Sequence, residues 1–279
     1  MSKQNLPAVA KGQPIETLKE VPNLPTVSAE LNELMGGVGT GLENVRQQDI
    51  IVPRLTILQG LSPQVKPSDG QYNPDARVGD IYDVALSEKF ESVHVLPLHF
   101  VTQWLEWAPR KTGKGLIAIR DQPPTKTEYK LNEKNQMITP TGNLIQETAQ
   151  IFCLNLSAKG RPCFIPFAST QLKKARKLMT YATNERVMFN GVEQTPPLFY
   201  RSYLMEVVPE SNNEGDWMGW KITPDKRLDE LENWQVRLNA VKDFRKKIIS
   251  GEVKADLDRD EMETVGSHST ASADESKSM

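Results

Sequence analysis

The sequence predicts an α+β fold, a mainly antiparallel β-barrel or sandwich with a basic helix and a C-terminal helix. Three observations lead there. Several short apolar segments are separated by Gly, Pro and Asn turns. One of them, Val93 to Leu105, is apolar on both faces, as a buried central strand is. Two other stretches, Ser169 to Ala182 and one opening at Thr223, repeat their apolar residues at helical spacing.

Residues 1–45 read as a flexible N-terminal arm, with four prolines and no aromatic residue. The run Gly36-Gly37-Val38-Gly39-Thr40-Gly41 is no phosphate loop. No strand pattern precedes it and no Gly-Lys-Ser/Thr closes it. The folded core is expected over 46–222. It opens with Ile50, Ile51, Val52, Leu55, Ile57 and Leu58, a strand broken by Pro53. Turn-rich pieces follow, then strand candidates at Asp80–Val84, Val93–Leu105, Gly115–Ile119, Ala149–Leu156, Pro162–Phe167 and Phe199–Val208. Strict alternation along the second of these places Val93, Val95, Pro97, His99 and Val101 on one side. It also sends His94 and His99, five apart, to opposite faces, which disfavours a shared metal.

The Ser169 helix is expected to start on a Ser169 or Thr170 cap. Leu172, Ala175, Leu178, Met179 and Ala182 form its apolar side, and Lys173, Lys174, Arg176 and Lys177 its cationic side. For the last helix, 223–251, Thr223 is the expected N-cap, Pro224 the first helical residue and Asp225 a favourable acid at the positive end. Leu228, Leu231, Trp234, Leu238, Val241 and Ile248 make its apolar face, and Gly251 its stop. Residues 252–279 read as a disordered acidic tail of eight acids and three bases. The chain carries −2 overall, so the rest of it carries +3.

Composition narrows the function classes. At 38% hydrophobic and 25% charged the chain can build a soluble core. It has neither an 18-residue apolar run nor an N-terminal h-region, so no membrane partner is expected and a cytoplasmic location is expected. Cys153 and Cys163 fit a reducing compartment and lack zinc-site spacing. No HExxH, Gly-x-Ser-x-Gly, Cys-x-x-Cys or phosphate loop occurs. No catalytic residue, metal or cofactor is therefore assigned.

Single-stranded nucleic acid needs cations to track phosphates and aromatic faces for bases to stack on. Three patches offer both. The first holds Trp104, Trp107, Arg110, Lys111 and Lys114, with Arg120 following. The second is Lys173, Lys174, Arg176 and Lys177. The third is Trp217 and Trp220 with Lys221. Glu106, between the first two tryptophans, opposes phosphate there.

Four stretches carry a resemblance. They are Val52-Pro53-Arg54-Leu55-Thr56-Ile57-Leu58-Gln59-Gly60-Leu61-Ser62-Pro63, Glu147-Thr148-Ala149-Gln150, Ser169 to Lys177, and Trp217-Met218-Gly219-Trp220-Lys221. In order and spacing, over roughly residues 46–222, the chain resembles a family of tailed-phage early proteins often described as single-stranded DNA-binding or simply uncharacterised. The resemblance implies an OB-like barrel, single-stranded DNA as partner, and an acidic tail that recruits replication or recombination proteins. This tail departs from that pattern. It ends Glu275-Ser276-Lys277-Ser278-Met279, with no dense acidic run closed by an aromatic residue. The expected function is non-enzymatic single-stranded DNA binding in phage replication or recombination, with self-association left open. The competing expectation is a virion-associated or protein-interaction protein.

Overall fold

A computed structural model describes residues 28–34, 44, 51–109, 112, 115–213, 215–255 and 257. The N-terminal arm apart from these, Arg110, Lys111, Lys114 and the tail beyond Leu257 therefore lie outside the described residues. The chain divides into two units, Met1–Asn44 and Val45–Met279. In the first, helix α1 spans Ala29–Leu34, and the Ser28 hydroxyl accepts the Leu31 amide at 3.2 Å.

The second unit holds β1 (Leu55–Ile57), β2 (Ile81–Asp83), β3 (Glu88–Phe90), β4 (Ser92–Trp107), β5 (Leu116–Arg120), β6 (Lys130–Leu131), β7 (Met137–Ile138), β8 (Leu144–Asn155) and β9 (Arg161–Ala168). Helix α2 (Leu172–Asn184) follows, then β10 (Val187–Phe189), β11 (Val192–Gln194), β12 (Arg201–Asn212), β13 (Gly215–Arg227) and α3 (Trp234–Ile249). An eight-stranded antiparallel sheet runs β13-β12-β4-β8-β7-β6, with β5 added to β4 and β9 to β8. Strands β1–β3 form a small sheet, and β10–β11 a hairpin. The architecture is α+β with mostly antiparallel strands, as the sequence predicts.

Each face of the large sheet is closed by one helix, because its central strands are apolar on both sides. On one face Ala175 and Leu178 of α2 pack with Ala149, Ile151 and Cys153 of β8, Phe167 of β9, and Trp220 of β13. On the other, Val241, Phe244 and Ile248 of α3 pack with Leu96, Leu105, Phe152, Leu154 and Phe164. Odd residues of β8 thus meet α2 and even ones meet α3, the two-residue period of a strand.

Strict alternation fails in β4. Pro97 pairs with Cys153 and His99 with Phe152, so Leu98 is an extra residue at a β-bulge. Val93 and Val95 face α2, but beyond the bulge Val101 packs toward α3 and Phe100 toward α2. His99 therefore stands on the α3 side beside Phe152, its ring 6.3 Å away, on the same face as His94. His94 is held there by Asp225, 2.8 Å from its Nδ1.

The last helix starts later than its caps predict. Thr223 pairs with Leu204 and Pro224 with Tyr203, so β13 runs through the expected helix start. Among the described residues β13 pairs with β12 alone, and an edge strand tolerates a proline. Asp225 takes the Ser202 hydroxyl and His94 rather than a helix terminus. Helix α3 begins only at Trp234, after Asn233 turns the chain at φ 55°. Leu228 and Leu231 precede it and still join the α3-side core.

Candidate nucleic-acid interface

Helix α2 is amphipathic as expected, with Ala175 and Leu178 buried and Leu172 and Met179 partly so. Its start differs from expectation. Ser169 sits in a 3-10 turn at φ 51°, and no side chain caps the first turn. Gln171 is recruited elsewhere: its Oε1 accepts the Trp220 amide at 2.9 Å and its Nε2 donates to Glu210 at 3.1 Å.

The four cations of α2 do not form one free row. Lys174 is ion-paired to Glu210, and Arg176 donates to Glu147 at 2.9 Å. Lys173 and Lys177 remain exposed, one turn apart, and Lys177 Nζ lies 5.6 Å from the Tyr181 ring centroid. Arg176 keeps 65% of its side chain exposed despite its partner. The unpaired charge on this face is therefore smaller than the sequence implies.

Glu210 is a hub. Lys174, Gln171 and the Trp217 indole N–H, at 2.9 Å, all donate to it. Burial alone would raise its pKa, but these donors outweigh burial and hold the carboxyl below its usual range. At Met218 and Trp220 the outer edge of β13 is met by two glutamines. Gln171 takes the Trp220 amide, while Gln59 donates to the Met218 carbonyl at 2.8 Å and accepts the Met218 amide at 3.0 Å. An edge strand whose backbone groups are met in this way is a poor template for further pairing.

The tryptophans separate. Trp107 is 3% and Trp220 2% exposed, so both are core residues. Trp220 tilts against Phe167 at 6.4 Å. Trp217 is half-buried and donates to Glu210. Trp104 is half-buried and pairs across strands with Glu147 and Arg120, which places it on the α2 face, whereas Trp107 packs on the α3 side. The patch drawn around Trp104 and Trp107 is thus divided by the sheet. Arg120 is clamped by Glu106 and Glu128, both at 2.6 Å, and Asn143 donates to Glu106 at 2.7 Å. That arrangement is an internal polar network, not a bare cation.

Two features were missed in the sequence. The first is the β10–β11 hairpin, which leaves Met188, Phe189 and Val192 more than 60% exposed. Asn190-Gly191, both at positive φ, signals this turn directly. Arg186 ties it to the end of α2 by donating to the Thr183 carbonyl at 2.7 Å. The second is the basic outer face of α3, whose cations lie between the apolar residues that mark the helix in the sequence. Among the described residues no cluster of three or more His, Cys, Asp or Glu could hold a metal ion. Cys153 and Cys163 are free buried thiols with sulfurs 3.4 Å apart. No helix of the described residues is long and apolar enough to cross a membrane.

The stretches that carried the resemblance touch one another. Gln59 of the first binds Met218 of the fourth, Gln171 of the third binds Trp220 of the fourth, and Arg176 of the third binds Glu147 of the second. Residues 22–254 match the family described as Pam3 phage gp34-like protein. The chain belongs to that family. The gp34-like region covers all four contacting stretches and both large helices, and it stops before the segment beyond Leu257. No curated protein and no solved structure matches the chain. At residue level the stretches of this gp34-like chain converge on the α2–β13 junction. Its motif residues hold one another in place there, and Lys173, Lys177 and the hairpin face outward.

Proposed function

We propose that this gp34-like protein is a non-enzymatic single-stranded DNA-binding protein of phage replication or recombination, acting in the host cytoplasm on an open, OB-like half-barrel. The observation that carries the reading is the outward row on α2. Lys173 and Lys177 stand one turn apart with no acidic partner among the described residues, Lys177 above Tyr181. Arg176, largely exposed, lies beside them, and the half-buried Trp104 shares that face of the sheet. Cations in a row with aromatic faces alongside are what an unpaired strand needs. The reading draws on fewer residues than the sequence offered. Trp107 and Trp220 serve the core, and Arg120 and Lys174 serve internal pairs. Replication or recombination proteins would be further partners.

The test is anisotropy of a labelled 30-nucleotide dT oligomer and a matching duplex at two salt concentrations. Preferential binding of the single strand, weakening steeply with salt, is the expected result. A second reading, a virion-associated or protein-interaction role, is favoured by exposed Met188, Phe189 and Val192 on one hairpin. Absence of any oligonucleotide binding at low salt would transfer the function to that surface.

A further inference from the structure

On the sheet face opposite α2 there is a groove of about 420 Å³ lined by Phe199, Val241, Lys242, Arg245, Lys246 and Ile249. Its floor is apolar and its rim cationic. Lys242, Arg245 and Lys246 lie at i, i+3 and i+4, so they share one side of α3, and all three are exposed. None has an acidic partner among the described residues. The helix carries five bases, Arg237, Lys242, Arg245, Lys246 and Lys247, against the single acid Asp243. Asp243 is next to Lys242 in sequence and so about 100° away around the helix.

Two ordinary explanations fall short. Cations in the last helical turn complement the macrodipole, which accounts for Lys246 and Lys247. It does not account for Lys242, two turns before the end. Ion pairing along the helix needs acids at i±3 or i±4; Asp243 has that spacing to Lys246 and Lys247, but Lys242 has no such acid and instead meets Arg245 and Lys246 as like charges, which costs stability. The apolar floor is also unexplained by solubility, since Ile249 is 59% exposed beside Phe199. The positive field is felt beneath the helix as well. Burial, and then Arg245, lower the pKa of His99 on the strand below.

We propose that this groove is a second contact surface for single-stranded nucleic acid. It takes one unstacked base against Phe199 and Ile249, with the flanking phosphates on Lys242, Arg245 and Lys246. The size suits such a unit, since pockets for small ligands begin at roughly 300 Å³. The apolar floor selects the single strand, because a duplex keeps its bases stacked and offers the rim only phosphate. The inference rests on the nucleic-acid reading above and extends it to the opposite face of the sheet. A strand long enough to reach both surfaces would engage α2 and α3 together.

The experiment compares three proteins: unmodified, Lys173→Gln/Lys177→Gln, and Lys242→Gln/Arg245→Gln/Lys246→Gln. The changed side chains are all exposed, and circular dichroism checks that each variant folds. Each is titrated with labelled dT oligomer across a salt series. Separately, oligonucleotide containing 5-iododeoxyuridine is photocrosslinked to the unmodified protein and the adduct mapped. The α3 variant is expected to bind more weakly, with a salt slope flatter by up to about 2, three contacts at about 0.7 each. The crosslink is expected on the peptide containing Phe199. If the α3 variant keeps the unmodified affinity and slope and no adduct forms at Phe199, the groove is not a site, while the function above stands on the α2 variant's loss. If the unmodified protein binds no oligomer, both readings fall together.

Discussion

The Glu210 carboxylate lies across Gly219, where a Cβ would collide with it. Gly219 is the position opposite Val208 in the β12–β13 ladder, and Glu210 folds over it to reach Gln171 and Lys174. Here the glycine is required by close approach of a side chain, not by backbone conformation. Gly219→Ala should push the carboxylate away from Lys174, Gln171 and Trp217. The expected cost is about 1–3 kcal/mol, from overpacking and weakened buried hydrogen bonds. Urea unfolding measures it. An unchanged midpoint would show that Glu210 can leave its partners without consequence.

Much of this fold was readable from residue pattern, and the reason is local. The apolar runs of β4, β8 and β9 and the amphipathic face of α2 are properties of consecutive residues. What was hidden depends on distant partners. Lys174 and Glu210 are 36 residues apart and Arg176 and Glu147 are 29 apart, so neither pair shows in the helix that supplies its cation. The bulge at Leu98 adds one residue without any glycine to mark it, and it inverts the faces of everything after. At Thr223 and Pro224 the cap signals are genuine, but the ladder to β12 outweighs them. Tryptophan burial was undecidable from composition, because core residues and stacking platforms use the same side chain.

The cations of α2 should separate by role. Lys174 and Glu210 are only 21% and 15% exposed at their side chains, so Lys174→Gln leaves a partly buried carboxylate without its charge partner. A loss of about 1–3 kcal/mol is expected in denaturant unfolding. Lys173→Gln and Lys177→Gln touch no acidic partner and should stay within about 0.5 kcal/mol of the unmodified protein. Equal cost at Lys173 and Lys174 would refute this division. Replacing all four cations together would therefore confuse folding with binding.

The tryptophans give a parallel contrast. Trp107→Ala and Trp220→Ala remove buried indoles and should each cost about 3–5 kcal/mol of stability. Trp104→Ala, at a half-buried site on the α2 face, should cost less stability. It should weaken single-stranded DNA binding by about 1–3 kcal/mol with little change in salt slope, the mark of a stacked base. Undiminished affinity in a folded Trp104 variant would remove that ring from the interface.

Acid should weaken the fold through specific carboxylates. The Asn143 amide bond lowers the Glu106 pKa, burial opposes it, and Arg120 lowers it further, so the carboxyl titrates below 4.5. A group depressed in this way stabilises the fold above its unfolded pKa and loses that contribution as pH falls through the folded value. Glu210 acts in the same sense. Asp83 acts in the opposite one. Burial raises its pKa above 3.8 despite the Leu86 amide and Arg161, so its contribution is largest in acid and is lost as pH rises. Stability should fall as pH drops below about 4.5, and Glu106→Gln should make that fall shallower. A Glu106→Gln protein with an unchanged acid limb would show that this network carries no pH dependence.

The acidic tail has to be removed at the right residue. Val253 and Leu257 are 8% and 5% exposed and pack with α3, and the Val253 amide bonds the Lys247 carbonyl at 3.1 Å. Truncation after Gly251 would strip two core residues, each worth about 1.5–3 kcal/mol if fully buried, and any change in binding would be mixed with unfolding. Truncation after Leu257 instead removes six acids and two bases. The chain's charge is −2 in total, so the remaining 257 residues carry +2. That shorter protein should unfold at an unchanged urea midpoint. If the acids compete with phosphate for the basic faces of α2 and α3, it should bind single-stranded DNA more tightly at low salt, and the gain should shrink as salt screens the competition. A protein ending at Leu257 that binds no more tightly at any salt concentration would exclude the tail as a competitor. A gain that persists undiminished at high salt would mean that the tail acts by occluding the surface sterically rather than by its charge.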